Sequence, residues 1–489
     1  MERAARHITG FARDESGTIL VFVGMCLGVL LGIIALSFDL GRVGITRTEL
    51  QSFADHVALA AAGELDGNAD AITRAISAAA LISDRQTFGS ADAALSGAAD
   101  YTLTFLSALP GLDVDSAFNA TAMSAVTSDP ADAAFVRVTV TPTTVPSTFG
   151  AAFSAVTGHR GIDESASASA VAGFSLQACD VTPLMFCIPS PTFSADAAVG
   201  QMIRLRSGGN GAAWGPGDFG FLDPAKIKVD DEGPCAGKSG VNLDACLLGA
   251  VNSITQCFNQ RGVDIEPGQK VGIEDAIFNV RFDIYKAIMN GEKNDPDYAP
   301  APNVIKGIVP KGGGDCIGNN EEISPDTLGL PRDDCFASGG CGRFGDGIWS
   351  TGRTAYVNVN YGGDDPHPEA LTRYDYYMAE IDAATSDGIL DGLSETGLPV
   401  CSSSPPADPD RRVIIAAGID CAANPISGAA SGVPVKEFVK IFLTEPVGDD
   451  GTSPPKVDIW GEIIGSASNG GEDALGTGGI VRDLVQLYR

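Results

Sequence analysis

Between Thr18 and Phe38 the chain reads TILVFVGMCLGVLLGIIALSF, without one charged side chain. About twenty apolar residues at roughly 1.5 Å each suffice to cross the hydrocarbon core of a bilayer. The run outlasts the apolar core of a cleaved signal peptide, and Asp39-Leu40-Gly41-Arg42 follows it where a small-residue cleavage site would stand. The pattern predicts a retained transmembrane helix over 18–38. The apolar positions then continue with a different rhythm. Val43, Leu50, Phe53, Ala54, Val57 and Ala61 recur at helical spacing and share one face. Arg47, Glu49, Gln51 and Asp55 fill the rest, and Gly63 with the turn Asp66-Gly67-Asn68 supplies a stop. One continuous rod is expected, lipid-facing first and amphipathic afterwards.

Further along, residues 69–82 and 91–109 have helical composition. Residues 135–141 alternate apolar and polar with β-branched side chains, which predicts a strand that Pro142 ends. Residues 146–156 read as a short helix and 162–174 as a returning strand. After residue 176 Gly-Gly, Asp-Gly and Pro turns dominate. Strands are expected at 412–419, 435–443 and 457–464, the last two as an antiparallel hairpin across a long loop containing Gly448-Asp449-Asp450-Gly451. The expected fold class is α+β: a tail (1–17), a transmembrane helix (18–38), an α+β module (39–176), and a loop-rich, β-rich, disulfide-containing region (177–489).

The formal net charge of −30 repels nucleic acids and anionic headgroups, so no nucleic-acid partner is expected. Cys26 lies in the apolar run. The other ten cysteines, Cys179, Cys187, Cys235, Cys246, Cys257, Cys316, Cys335, Cys341, Cys401 and Cys421, all follow residue 178. An even set with only four histidines and no C-x2-C pair predicts disulfides in an oxidising compartment rather than zinc. Cys179–Cys187 and Cys335–Cys341 are the expected local pairs, although spacing does not determine pairing. The cysteines, with Arg3, Arg6 and Arg13 before the span against Arg42 and Arg47 after it, place the N-terminus in the cytoplasm and the remainder in the periplasm.

Arg13-Asp14-Glu15-Ser16-Gly17, the apolar span, Asp39-Leu40-Gly41-Arg42 and then Leu50-Gln51-Ser52-Phe53-Ala54-Asp55-His56-Val57-Ala58-Leu59-Ala60-Ala61-Ala62 occur in that order. This segment, residues 11–63, resembles the N-terminal module of TadG-like proteins of the tight-adherence (Flp) pilus system. His56 departs from the small residue common at that place. The strand, short helix and strand after the long helix are similar to the small domains of TadE- and TadG-like pseudopilins. The resemblance implies an inner-membrane, non-enzymatic component of pilus assembly without cofactors. Its partners would be the lipid bilayer, other pilus-assembly or pseudopilin proteins and, through the long helix, further copies of itself. Asp39, Arg42, Leu50, Phe53 and Val57 are the candidate interaction residues.

Other motifs compete with that reading. Some TadG-like proteins carry a metal-dependent adhesion site of D-x-S-x-S form, and Asp163, Ser165 and Ser167 fit its letters, although a Gly158–Gly161 turn precedes them. Acidic pairs at 230–231, 333–334, 364–365 and 449–450 leave an envelope hydrolase as an alternative. Gly10-Phe11 with Glu15 has the letters of a prepilin cleavage site, but Arg13 and Asp14 interrupt it. Ala236-Gly237-Lys238-Ser239 lacks the upstream glycine and strand of a phosphate loop. No catalytic, metal or cofactor-binding residue is assigned.

Overall fold

A computed structural model describes residues 16–89, 94–109, 125–149, 164–178, 181–207, 214–223, 233–251, 258–260, 262–266, 274–449, 457–467 and 481–488. The chain forms two compact units, Met1–Ser175 with Asp483–Arg489, and Leu176–Arg482. The division falls within one strand, a residue before the expected boundary.

The first unit is built on helix α1, Ser16–Ala62, whose 47 residues extend roughly 70 Å at the α-helical rise. Helix α2, Ala71–Ala80, follows and packs against it through Ala71, Ala75 and Ala79. Strands β1 (Ser83–Arg85) and β2 (Ala94–Ser96) pair antiparallel. Strands β3 (Tyr101–Leu106), β4 (Phe135–Val140) and β7 (Ser169–Ala178) form an antiparallel sheet with β4 in the middle. Between them β5 (Thr143–Val145) and β6 (Glu164–Ala166) make a separate pair. The alternation in β4 buries Val136, Val138 and Val140 and exposes Thr139, and this strand packs on α1.

Residues 94–109 correct the expected helix over 91–109. Tyr101-Thr102-Leu103-Thr104-Phe105-Leu106 alternates with β-branched threonines, and Gly97 at φ 77° turns the chain between β2 and β3. The alanine bias of 91–99 concealed that period; residues 90–93 lie outside the described set. The expected strand over 162–174 is two strands, β6 and β7. Of the expected helix over 146–156, residues 150–156 lie outside the described set.

The second unit contains β8 (Leu184–Cys187), β9 (Met202–Ser207) and β10 (Asp218–Leu222). Helix α3 (Val241–Gly249), β11 (Phe258–Asn259), β12 (Val263–Glu266) and helix α4 (Glu274–Asn279) come next. A hairpin of β13 (Ile308–Pro310) and β14 (Glu321–Ile323) leads to helices α5 (Asp334–Ser338), α6 (Ser350–Tyr361) and α7 (Arg373–Asp382). Strands β15 (Val413–Ile419), β16 (Ala430–Val433), β17 (Glu437–Leu443), β18 (Gly448–Asp449) and β19 (Val457–Ser466) complete it. A last strand, β20 (Val481–Tyr488), returns to the first unit and pairs with β7.

Strands β8, β15, β17, β19, β9 and β10 close on themselves, because β9 bonds both β19 and β10. The β8–β15 and β9–β10 pairs are parallel and the others antiparallel. Closure removes the free edges of an open sheet, and the main core includes Phe186, Leu205, Phe219, Ile414, Phe438 and Ile463. The β17–β19 hairpin is as expected, with a register shift at Lys440/Ile441. Gly461, opposite Leu443, lies close against β17: a Cβ would come within 2.9 Å of the Phe442 carbonyl.

Helices α6 and α7 carry a second core with Trp349, Tyr356, Tyr376, Tyr377 and Phe442. Sequence reading missed both helices. A signal existed for α7: Thr372 and Asp375 form a reciprocal capping box, the N3 backbone N–H bonding Thr372 Oγ1 at 3.0 Å. Buried arginines close helix α3 in the same unit. Arg281 donates to the Leu248 carbonyl at 2.7 Å, and Arg411 to that of Gly249, where cations suit the negative end of the helix. Burial lowers both pKa values, that of Arg411 to about 10.

Candidate functional site at the membrane exit of the long helix

Among the described residues, the large apolar side chains of α1 from Ile19 to Leu36 are left exposed. Ile19, Leu20, Phe22, Leu30 and Ile33 are all more than half exposed. The helix is long and apolar enough to cross a membrane. Gly24, Gly28 and Gly32 recur every fourth residue along it, with open space where a Cβ would stand. Such spacing lets a second helix backbone approach closely. Cys26 is exposed and unbonded.

The environment changes within one turn after Phe38. Asp39 accepts from the backbone N–H groups of Thr148 and Phe149 at 2.9 and 3.1 Å. One turn on, Arg42 donates to the Pro146 carbonyl at 3.0 Å and to Thr148 Oγ1, and its guanidinium stands 4.9 Å from the Phe88 ring. Phe38 meets Phe149 edge to face at 5.4 Å. The i, i+3 spacing puts Asp39 and Arg42 on one side of the helix, so the two charges of DLGR clasp the same segment, residues 146–149. A carboxylate suits N–H donors and a guanidinium suits carbonyl acceptors; exchanging the two would leave both sets unmatched.

Beyond the clasp one face of α1 is covered. Val43, Leu50, Phe53, Ala54, Val57 and Ala61, the predicted face, are at most 8% exposed. Burying side chains the size of Val43, Leu50, Phe53 and Val57 stabilises by about 2 kcal/mol each. Leu50, Phe53 and Val57, expected among the partner-contacting residues, are thus fully enclosed by their own unit, with Phe53 6.0 Å from the Tyr101 ring. Their periodicity reported a core. Asp39 and Arg42 are half-buried in the clasp. His56, with Arg47, Gln51 and Asp55, borders an open groove of about 530 Å³.

The end of α1 is held by a charge cluster. Arg74 reaches Glu64 at 2.9 Å, Asp66 at 2.6 Å, and Asp70. Burial by itself would raise the Asp66 pKa, but hydrogen bonds from Arg74 and Asn68 outweigh it and hold the carboxyl below its ordinary value.

Residues 17–64 match the Flp pilus-assembly TadE/G-like family. The match covers the uncovered span, the helix side of the clasp and the buried face. No curated protein and no solved structure matches the chain. The TadE/G-like segment therefore carries the family signal, and the second unit is described from its own residues.

The disulfides all lie in that second unit among the described residues: Cys187–Cys421, Cys235–Cys246, Cys316–Cys401 and Cys335–Cys341. The first corrects the expected Cys179–Cys187 pair. Cys187 ends β8 and Cys421 follows β15, its parallel neighbour, so sheet pairing overrides proximity in sequence. Cys179 and Cys257 lie outside the described residues. Cys335, Cys341 and Asp346 sit close enough to suggest a metal group, but two of the three are joined sulfurs without thiolate to offer.

The competing chemistry disperses. Asp163 lies outside the described residues, while Ser165 and Ser167 are exposed at the antiparallel β5–β6 pair. Asp333 is buried against Arg373 at 2.6 Å, and Asp334 accepts from the Thr351 and Gly352 N–H groups. Asp365 bonds Arg353 and Tyr376. Each of these holds structure, and Asp230, Asp231 and Asp450 lie outside the described residues. Gly237, Lys238 and Ser239 border a cavity of about 300 Å³, where Lys238 Nζ lies 3.4 Å from the Tyr298 hydroxyl.

Proposed function

We propose that this protein is a membrane-anchored, non-enzymatic component of Flp (tight-adherence) pilus assembly in the bacterial inner membrane. Residues 1–17 face the cytoplasm and everything after Phe38 lies in the periplasm. The observation that carries the reading is one unbroken helix whose lipid-ready half passes, at the Asp39–Arg42 clasp, straight into a folded unit. That transition falls inside the segment with the TadE/G-like match. The four disulfides support an oxidising compartment for the second unit. The anchor holds the first unit at the membrane surface, where lateral partners are other pilus-assembly proteins. The glycine spacing at 24, 28 and 32 supports close helix approach, to a partner or to a second copy.

A deletion strain tests this. Loss of the chain should reduce surface pili severalfold, with recovery by the intact chain. A chain whose residues 18–38 are replaced by a cleavable signal peptide should be exported without restoring them. Normal piliation in the deletion strain would remove the reading.

A further inference from the structure

In the second unit, three large apolar side chains that the fold leaves in water belong to three segments drawn together by one buried cation. Val199, Ile348 and Leu371 are 46%, 56% and 80% exposed. Arg373, fully buried, donates to the Gly200 carbonyl at 3.4 Å, the Pro331 carbonyl at 2.6 Å and Asp333 at 2.6 Å. Asp333 in turn accepts from the Gly347 N–H at 2.8 Å, and Glu462 from the Arg373 and Tyr374 N–H groups at 3.0 and 2.8 Å. The residues flanking this hub touch directly. A Cβ on Gly347 would lie 3.4 Å from the Gly200 carbonyl, one on Gly200 would lie 3.5 Å from Thr372, and Trp349 Nε1 donates to the Leu371 carbonyl at 3.3 Å. The exposed side chains are the immediate chain neighbours of these contacts. They stand on ion-paired backbone that loses little freedom on binding, which is how interface hot spots are built.

The exposed charges next to Ile348 and Leu371 in the chain are carboxylates, and the nearby Arg332 is paired with Glu445. Asp346, Glu369 and Asp375 are exposed beside Ile348, Leu371 and Arg373. Residues 344–410 contain twelve carboxylates and two guanidiniums, Arg353 and Arg373. Arg373 is buried in the hub, and Arg353 is bonded to Asp365 and to the carbonyls of His367 and Ala370. No lysine or arginine of this stretch is left to meet an acidic partner. An apolar centre flanked by exposed carboxylates favours apolar side chains accompanied by cations, and it disfavours an anionic lipid surface or another equally acidic face.

We propose that Val199, Ile348 and Leu371 form a docking site for a partner-protein segment that alternates apolar residues with lysine or arginine. The site is independent of the TadE/G-like segment and of the pilus reading.

Full-length protein in phosphatidylcholine nanodiscs would be mixed with a photoreactive Lys-Leu-Lys-Leu-Lys peptide, and cross-linked positions mapped by mass spectrometry. Cross-links should concentrate at residues 199, 348 and 371. Leu371→Ser should lower the yield about tenfold and Glu369→Lys severalfold. Ile323→Ser, at an 85% exposed apolar position on β14, should change nothing. Because Leu371 and Glu369 point into solvent, both variants should keep the parent's thermal midpoint. Equal cross-linking by Lys-Ser-Lys-Ser-Lys would overturn the site, as general attraction to an acidic chain. So would equal loss in Leu371→Ser and Ile323→Ser, Leu371-dependent binding to phosphatidylglycerol vesicles, or cross-links between copies of the chain through the patch.

Discussion

The two units solve the same problem with different materials. The first has no cysteine after Cys26 and sets one helical face on a sheet, with Leu50, Phe53 and Val57 meeting an alternating strand. Charged groups mark the two ends of that face, at the Asp39–Arg42 clasp and around Arg74. The second buries charges outright. Arg373 with Asp333 and Glu462 is enclosed, and among the described residues four disulfides staple the strands and loops. Nonlocal pairing within a small-stranded barrel orders slowly and gains from cross-links, whereas a long helix arrives with its register already set. The contrast teaches that reductant and core truncation should act on different parts of the chain.

Reduction is the strongest test. The Cys187–Cys421 bond closes a separation of 234 residues, and loss of such a cross-link costs about 5 kcal/mol. Under dithiothreitol, amide exchange should accelerate in β8 and β15 while residues 50–62 of α1 stay protected. Equal acceleration in both would erase the comparison. Phe53→Ala should do the reverse, costing about 3–5 kcal/mol and exposing β3 and β4 to exchange. Ile33→Ala, in the uncovered half of the same helix, should leave that exchange unchanged.

Arg373→Met should cost about 3–5 kcal/mol, because it strands two buried carboxylates. The loss should read out in α7 and β19, and the double change with Glu462→Leu should recover part of it. Smaller still, Asp39→Ala should cost about 1 kcal/mol, since a half-exposed charged hydrogen bond is screened by water. Proteolytic nicking near residues 146–149 should rise.

The pH responses should differ in sign. Hydrogen bonds hold Asp66 below its ordinary 3.8, so its contribution is present above about pH 3.8 and lost as pH falls through the lower folded value. Burial raises Glu380 above 4.5 despite hydrogen bonds from Tyr356, Tyr361 and Asn303, so its contribution falls as pH rises from about 4.5 through the folded value. Asp66→Asn and Glu380→Gln should each flatten one of these slopes in a chemical-denaturation series.

What could be read in advance follows from range. The span, the continuous rod and its buried face were legible because a helix writes its environment into neighbours three and four apart. The β4 strand and the β17–β19 hairpin were legible for the same local reason. The Cys187–Cys421 bond was not, because it depends on β8 lying parallel to β15 across 234 residues. Barrel closure by β9 and the return of β20 to β7 are equally nonlocal. The clasp was half legible. Asp39 and Arg42 stood out as a motif, but their partners at 146–149 are more than a hundred residues away. Leu50, Phe53 and Val57 were read as one face and offered as contacts for a partner; the structure covers that face from within its own unit. Periodicity reports that a face is covered and is silent on what covers it.

The central claim is that the chain crosses the membrane once, between a cytoplasmic tail and a periplasmic remainder that begins at the clasp. Protease added to spheroplasts, followed by a membrane-impermeant thiol reagent with and without reduction, tests it most directly. The account predicts that digestion from the periplasmic side removes the units beyond Phe38 and leaves a short membrane-held fragment. It also predicts that Cys187, Cys235, Cys246, Cys316, Cys335, Cys341, Cys401 and Cys421 label only after reduction. A full-length chain protected in spheroplasts, with those thiols free once the cells are opened, would contradict the topology and the functional reading built on it.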